Sequence, residues 1–280
     1  MSELYVEDPL TFWCNNYGIS SADVVFMGIP LEGTGTGRSG TAGAPNAIRK
    51  MSYMLETYSP SQKRDLSELK MTDYGNLVTS PGDLSETSSR ITKTVKDISE
   101  KFPVLVGGDH TMTLPAVRAL MRRHPKLSVL QFDAHLDMKD EYAGSRHCHV
   151  TVMRRIFDLL GKRRIVHAGS RSFSADEMEF AKKNNVVKSL EKMAEYEMEG
   201  PVYVTLDMDV FDPSYAPGVA TPVPGGISPE DFFSCVRKLG ETMDVIGFDV
   251  VETCPPHDNS GITSLLAARA IKEMLLSFRK

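Results

Sequence analysis

Residues 127–140 read LSVLQFDAHLDMKD, an apolar run that passes straight into Asp133, His135 and Asp137 at two-residue intervals. In an extended strand successive side chains alternate between faces, so these three would share one face. Three metal-type ligands on one face at the end of a buried strand are costly unless something binds them. The bland alternative is an acidic loop that merely follows a strand.

Five further β-branched or aromatic runs have the same character: DVVFMGIP (23–30), FPVLVGGDH (102–110), RRIVHAGS (163–170), PVYVTLDMD (201–209) and DVIGFDVVE (244–252). With 127–135 they predict six buried strands. Helical patterns fall between them at 87–100, 113–123, 150–160, 176–184, 229–240 and 262–278. In the last, Ala267, Ile271, Met274, Leu275 and Phe278 form an apolar stripe with Arg269, Lys272 and Glu273 off it, as in a half-exposed helix. Alternating strands and helices predict an α/β fold with a largely parallel sheet covered on both faces. No repeat, low-complexity tract or linker interrupts the 280 residues, so 1–280 read as one domain. Gly- and Pro-rich stretches at 30–46 and 212–229 are longer than plain connectors and read as loops serving a site.

The composition, 41% hydrophobic and 25% charged, is that of an ordinary soluble globular chain. A net charge of −5 with no basic run gives no case for nucleic-acid binding, and no apolar segment reaches membrane-spanning length. The N-terminal MSELYVEDPL lacks a signal-peptide pattern, which points to the cytoplasm. Cys14, Cys148, Cys235 and Cys254 include no CxxC pair and read as reduced packing residues.

Polar chemistry recurs where the apolar runs stop, in GGDH, DAHLD, DMD and DVVE. In open α/β sheets ligands bind beyond the carboxyl ends of strands, so these ends predict one shared cleft. Its candidate metal ligands are His110, Asp133, His135, Asp137, Asp207 and Asp209. A lone DMD is more often a loop start or helix cap, and a lone GDH a turn; the coincidence of all three clusters favours a site. Two imidazoles and four carboxylates without a thiolate suit Mn²⁺ or Mg²⁺, with imidazole favouring manganese and zinc as the alternative. Six side chains suffice for two ions if two carboxylates bridge, and a bridged pair can supply hydroxide near neutral pH. Four aspartates already balance two divalent cations, and hydroxide and Glu252 add negative charge. Such a site favours a cation over a phosphate, and a planar, permanently charged guanidinium fits it.

GGDHT (107–111), DAHLD (133–137) and LDMDVFDPSYAPGVATPVPGG (206–226) strongly resemble the ureohydrolases, the arginase and agmatinase family. GIPLEGTGTGRSGTAGAPNAIR (28–49) is similar to the family's N-terminal loop, and DVVETCPPHDNSGITSLLAAR (249–269) to its last strand, loop and helix. The resemblance implies an arginase-like three-layer α/β/α sandwich with a mainly parallel sheet of about eight strands. It implies two Mn²⁺ per subunit, one on His110, Asp133, Asp137 and Asp207, the other on Asp133, His135, Asp207 and Asp209. His149, in GSRHCHVTVMRR (144–155), takes the family's catalytic position and would assist proton delivery to the departing amine. Glu252 would pair with the substrate guanidinium, and Thr221 would support Glu252 or the substrate. Asp137 would help stabilise what forms when metal-bound hydroxide attacks the guanidinium carbon. A homo-oligomer, trimer or hexamer, is expected on the same ground.

Without the resemblance, Glu252 reads as an exposed carboxylate capping the last strand. His147 reads as a solvated loop residue, His167 as a satisfied strand histidine, and His124 and His257 as loop residues. Lys139 stands two residues beyond DAHLD, where arginases carry an Asn that recognises amino-acid α-groups, which disfavours arginine. YAGSRHCHVTVMRRI (142–156) is closer to agmatinase-like proteins, although Val223 stands where many agmatinases have Glu. Agmatine, cleaved to putrescine and urea, is therefore the expected substrate. Arginine, guanidinobutyrate and formiminoglutamate are alternatives within the class; a binuclear phosphoesterase and a non-catalytic metal sensor lie outside it.

Overall fold

The computed structural model describes residues 10–13, 17–35, 37–184, 186–188, 198 and 200–279; Cys14 lies outside them. Its main sheet contains β1 (Val24–Ile29), β4 (Met71–Asn76), β5 (Phe102–Gly107), β6 (Ser128–Phe132), β7 (Ile165–Ala168), β8 (Val187–Lys188), β9 (Val202–Asp207) and β10 (Val245–Val251). A separate antiparallel hairpin joins β2 (Tyr58–Ser59) to β3 (Arg64–Asp65). The eight strands run in the order β4-β1-β5-β10-β9-β6-β7-β8, and every pairing is parallel. Every residue of β1, β5, β6, β7 and β9 is buried. Covered faces on both sides explain why these strands are continuous apolar runs rather than alternating ones.

Helices α1 (Ala44–Ser52), α6 (Pro229–Thr242) and α7 (Ile262–Phe278) cover one face, where Ile48, Phe232 and Ile271 pack with Phe26. Helices α2 (Leu84–Asp97), α3 (Thr113–Met121), α4 (Val152–Leu160) and α5 (Ala175–Asn184) cover the other, where Ile91, Val117, Ile156 and Ala181 pack with Val25. Neighbouring strand residues therefore feed different layers, and the result is the expected α/β/α sandwich. No described helix is long and apolar enough to cross a membrane.

Three elements escape the apolar-run reading. Edge strand β4, MTDYGN, buries only Met71 fully, and β8 is two residues long. Helix α1 lies partly in the stretch read as a loop, and its buried Arg49 explains how β4 is held. Arg49 grips Asp73 of β4 at 2.7 and 2.9 Å and donates to Asn76 at 2.5 Å. Helix α7 also departs from its half-exposed reading: Lys272 and Glu273 are buried while Arg269 is exposed. The β2–β3 hairpin covers them. Glu273 accepts from Ser59 Oγ at 2.9 Å and Gln62 Nε2 at 2.8 Å, and Lys272 donates to the Glu56 and Tyr58 carbonyls.

The four central neighbours β5, β10, β9 and β6 are the strands whose ends carry His110, Glu252, Asp207 and Asp133. Below those ends a polar row crosses the sheet in register: His167, Gln131, Thr205 and Asp249, all fully buried. His167 is in a strand as expected, but it is not satisfied. Neither ring nitrogen has a hydrogen-bond partner among the described residues, because Gln131 beside it turns its amide nitrogen to Asp133.

Burial pushes the His167 pKa down to about 4 from the ordinary 6.5. The unfolded chain takes up this proton first, so the stabilisation is complete above pH 6.5 and drains as pH falls toward 4. At 1.36 kcal/mol per unit the loss is about 3 kcal/mol. Urea unfolding of chelator-treated protein should therefore show His167→Leu losing about 3 kcal/mol less than the parent over that interval. Equal losses in the two proteins would refute this.

Candidate metal centre

Three segments at the strand ends use the same local device. Asp109 Oδ1 accepts the Thr111 amide at 2.9 Å, Asp133 Oδ1 that of His135 at 2.6 Å, and Asp207 Oδ1 that of Asp209 at 2.8 Å. Each aspartate closes an Asx-type turn that diverts the chain into a loop. Asp207 is also the N-cap of the 3-10 turn Met208–Val210, and capping leaves its carboxylate facing the cavity. β6 stops at Phe132, so Asp133, His135 and Asp137 are not alternate residues of one strand, as the spacing predicts. They converge on the turn beyond it, where Asp137 takes a left-handed φ of 52°. Glu252 is left-handed too, at φ 64°. Such backbone costs on the order of 1–3 kcal/mol per non-glycine residue and persists only where the surroundings enforce it.

The side chains meet around Nδ1 of His110. That nitrogen lies 3.3 Å from Asp133 Oδ2 and from Asp137 Oδ2, and 3.4 Å from Asp207 Oδ2. All four residues are buried, yet Nδ1 has no hydrogen bond of good geometry among the described residues. Beside it, His135 Nδ1 stands 2.9 Å from Asp209 Oδ2 and 3.5 Å from Asp133 Oδ1. Donor atoms of His110, Asp133 and Asp207 form one group able to hold a metal ion, and those of Asp133, His135 and Asp209 a second. Asp133 belongs to both, and Asp137 faces the first across His110. An orphaned ring nitrogen ringed by hard oxygen donors fits a divalent ion.

Electrostatics say the same. Burial and the neighbouring Asp133 charge push the Asp137 pKa up to about 7, and burial with nearby carboxylates raises Asp207 and Asp209. Burial opposes the charged form of His135, but Asp133 and Asp209 outweigh it and lift its pKa to about 12. The protein alone leaves these carboxylates under-compensated, and a cation relieves that.

His149 opens the 3-10 turn His149–Thr151 ahead of α4 and is buried. Its amide donates to Thr34 Oγ1 at 3.0 Å, and Thr34 donates to Asp109 Oδ2 through N at 2.9 Å and Oγ1 at 2.6 Å. Glu252 is buried rather than an exposed cap, and its Oε1 accepts the His110 amide at 2.8 Å. Thr221 Oγ1 donates to Asp209 Oδ2 at 3.2 Å. His149, Glu252, Thr221, Asp137 and Asp207 share a cavity of about 110 Å³ with His110 and His135. Sequence reasoning missed the supports. Asp109 was visible in GGDH but serves as a loop clamp, and nothing local marked Thr34 or Arg171. Arg171 donates to the carbonyls of Asp209 at 2.7 Å, Val210 at 3.1 Å and Val223 at 2.6 Å, holding the 209–224 loop.

The profile of the arginase family matches residues 22–277. The chain belongs to the arginase family. It is 35% identical over 269 residues to the agmatinase of Bacillus subtilis strain 168, covering 92% of this chain and 93% of that protein. It is 35% identical over 277 residues to the guanidinobutyrase of Pseudomonas aeruginosa, covering 92% and 86% respectively. The crystal structure of the agmatine ureohydrolase of Thermoplasma volcanium superimposes with a TM-score of 0.88 at 33% identity, covering 99% of this chain and 97% of that one.

Other residues singled out in this arginase-family sequence stand away from the cavity. Lys139 does not line it; its Nζ lies 3.9 Å from Glu177 Oε2 and 5.8 Å from the Tyr142 ring centre. His147 is exposed and borders a separate cavity of about 450 Å³ with Cys148, Arg118 and Arg155. His124 and His257 are in connections, as expected, and Cys148, Cys235 and Cys254 are free and buried. Gly108, between β5 and His110, tolerates no side chain: a Cβ there would meet the Leu31 carbonyl oxygen at 2.0 Å. Gly108→Ala should cost about 1–3 kcal/mol or more of stability by overpacking, read as a lowered thermal midpoint. A midpoint equal to the parent's would contradict this packing account.

Proposed function

We propose that this chain is a two-manganese ureohydrolase that cleaves agmatine to putrescine and urea. The lining of the 110 Å³ cavity carries the reading: three imidazoles and the carboxylates of Asp137, Asp207 and Glu252, with no Lys or Arg among the described residues. A pocket of that sign suits a guanidinium and disfavours a phosphate. Membership of the arginase family and the identity to an agmatinase support it.

In this reading one ion is held by His110, Asp133, Asp137 and Asp207, and the other by Asp133, His135, Asp207 and Asp209. Bound there, the ions supply an activated water and positive charge beside the guanidinium carbon. Glu252 accepts hydrogen bonds from the guanidinium N–H groups and fixes its plane. Asp137 adds negative charge beside the reacting carbon. His149, which burial keeps toward its neutral form, is anchored through its amide on Thr34; it would take a proton from the attacking water and pass it to the departing amine. Thr221 braces Asp209. Lys139 is drawn to Glu177 instead of lining the cavity, which favours an amine-ended substrate over a carboxylate-ended one. The equal identity to a guanidinobutyrase makes 4-guanidinobutyrate the second reading. A single domain, assembly into trimers or hexamers and a cytoplasmic location complete the proposal, and light scattering tests the assembly.

Chelator-stripped protein should release no urea, and manganese should restore release from agmatine above arginine and 4-guanidinobutyrate. Urea from 4-guanidinobutyrate alone would replace the substrate, and none from any of the three would remove the function. Glu252→Gln keeps an oxygen for the His110 amide but removes the negative charge that recognises the guanidinium. It should retain manganese while turnover falls about 10–100-fold, the scale of a lost charged hydrogen bond. Full turnover in that variant would end the role given to Glu252.

A further inference from the structure

His110 has a second nitrogen, and it points away from the cavity into the polar row. His110 Nε2 lies 2.9 Å from Thr205 Oγ1, and Thr205 Oγ1 lies 2.5 Å from Asp249 Oδ1. The other oxygen, Asp249 Oδ2, accepts from Thr113 Oγ1 and from the Tyr203 phenol, each at 2.9 Å. All five residues are fully or almost fully buried, and neither Thr205 nor Asp249 lines the cavity.

Proton counting gives this chain a direction. A hydroxyl has one hydrogen to give. With Oδ2 already taken by two donors, an ionised Asp249 takes the Thr205 hydrogen on Oδ1. Thr113 Oγ1 is 3.5 Å from Thr205 Oγ1, too far to compete. Having donated to Asp249, Thr205 can only accept from His110, which requires a hydrogen on Nε2. The Nδ1 lone pair is then free where the Asp133, Asp137 and Asp207 oxygens converge. The reverse chain, with Asp249 donating to Thr205 and Thr205 to Nε2, would put the hydrogen on Nδ1 and block the ligand atom.

We propose that Asp249, acting through Thr205, is a positioning residue that holds His110 as the Nε2–H form and so presents Nδ1 to the metal. This role presupposes the metal reading of the centre. A carboxylate backing a metal-binding histidine is a common way of fixing its tautomer and raising its basicity; here a threonine hydroxyl stands between the two.

Calorimetric titration of Mn²⁺ into chelator-stripped parent, Asp249→Asn, Thr205→Val and Thr205→Ser tests it. Asp249→Asn and Thr205→Val should bind about 10–100-fold more weakly than the parent, the range for such supporting partners, and Thr205→Ser should return to within a few-fold. Asp249→Asn keeps the shape of the buried side chain and Thr205→Ser the hydroxyl, so this pair decides even if Thr205→Val does not fold. Nitrogen-15 spectra of the metal-free parent, taken at a pH alkaline enough to leave the His110 ring neutral, should show its one proton at Nε2. Parent-like manganese binding by Asp249→Asn, Thr205→Ser as weak as Thr205→Val, or an Nδ1–H tautomer in the parent would each overturn the role. No manganese binding by the parent would instead overturn the metal centre, and this role with it.

Discussion

Three carboxylate oxygens held within 3.4 Å of one buried imidazole nitrogen set the terms for the rest of the molecule. Like charges at this spacing oppose folding unless they share protons or meet a cation. Arg171, the guanidinium beside Asp209, has its donors committed to the backbone carbonyls of the 209–224 loop. The scaffold therefore carries repulsion that a divalent ion would relieve, and binding of such an ion would feed directly into folding stability. The left-handed backbones of Asp137 and Glu252 belong to the same account: both are conformations that relax unless the surroundings hold them.

What holds them is the parallel direction of four adjacent strands. Because β5, β10, β9 and β6 are neighbours and all point the same way, residues as distant in sequence as His110 and Glu252 emerge at one edge. The Glu252 carboxylate then caps the His110 amide, which ties the end of β10 to the segment after β5. Asx turns at Asp109, Asp133 and Asp207 end the approach to the cavity within two residues of each strand or its extension. These side chains are thus fixed by the sheet rather than by long loops, as a site needing sub-ångström placement requires.

The candidate ligands were legible because each motif is local: an apolar run, then an aspartate or histidine at a fixed offset. DAHLD converges by another route than strand alternation, which ends at Phe132; the turn beyond it brings the side chains together. Elements defined by partners rather than by pattern were invisible. β4 is mostly polar and exists through pairing with β1 and the Arg49–Asp73 contact. Lys272 and Glu273 have the composition of an exposed helix face, and only the hairpin packed on them makes them interior. Thr205 and Asp249 looked like ordinary strand residues, because their importance lies in register across three strands.

That register separates two kinds of variation. Loop residues such as Lys139 and Val223 can change without disturbing the sheet; Lys139 faces Glu177 and Tyr142, and Val223 lends Arg171 a backbone carbonyl that any residue would supply. Substitutions there leave the convergent carboxylates and imidazoles in place. Thr205, Gln131 and Asp249 have no such freedom, since each donates or accepts within a dry layer where a missing partner leaves a buried polar group exposed to no solvent. The polar floor beneath the convergent side chains is accordingly the layer that tolerates least change, and the loops are the part that tolerates most.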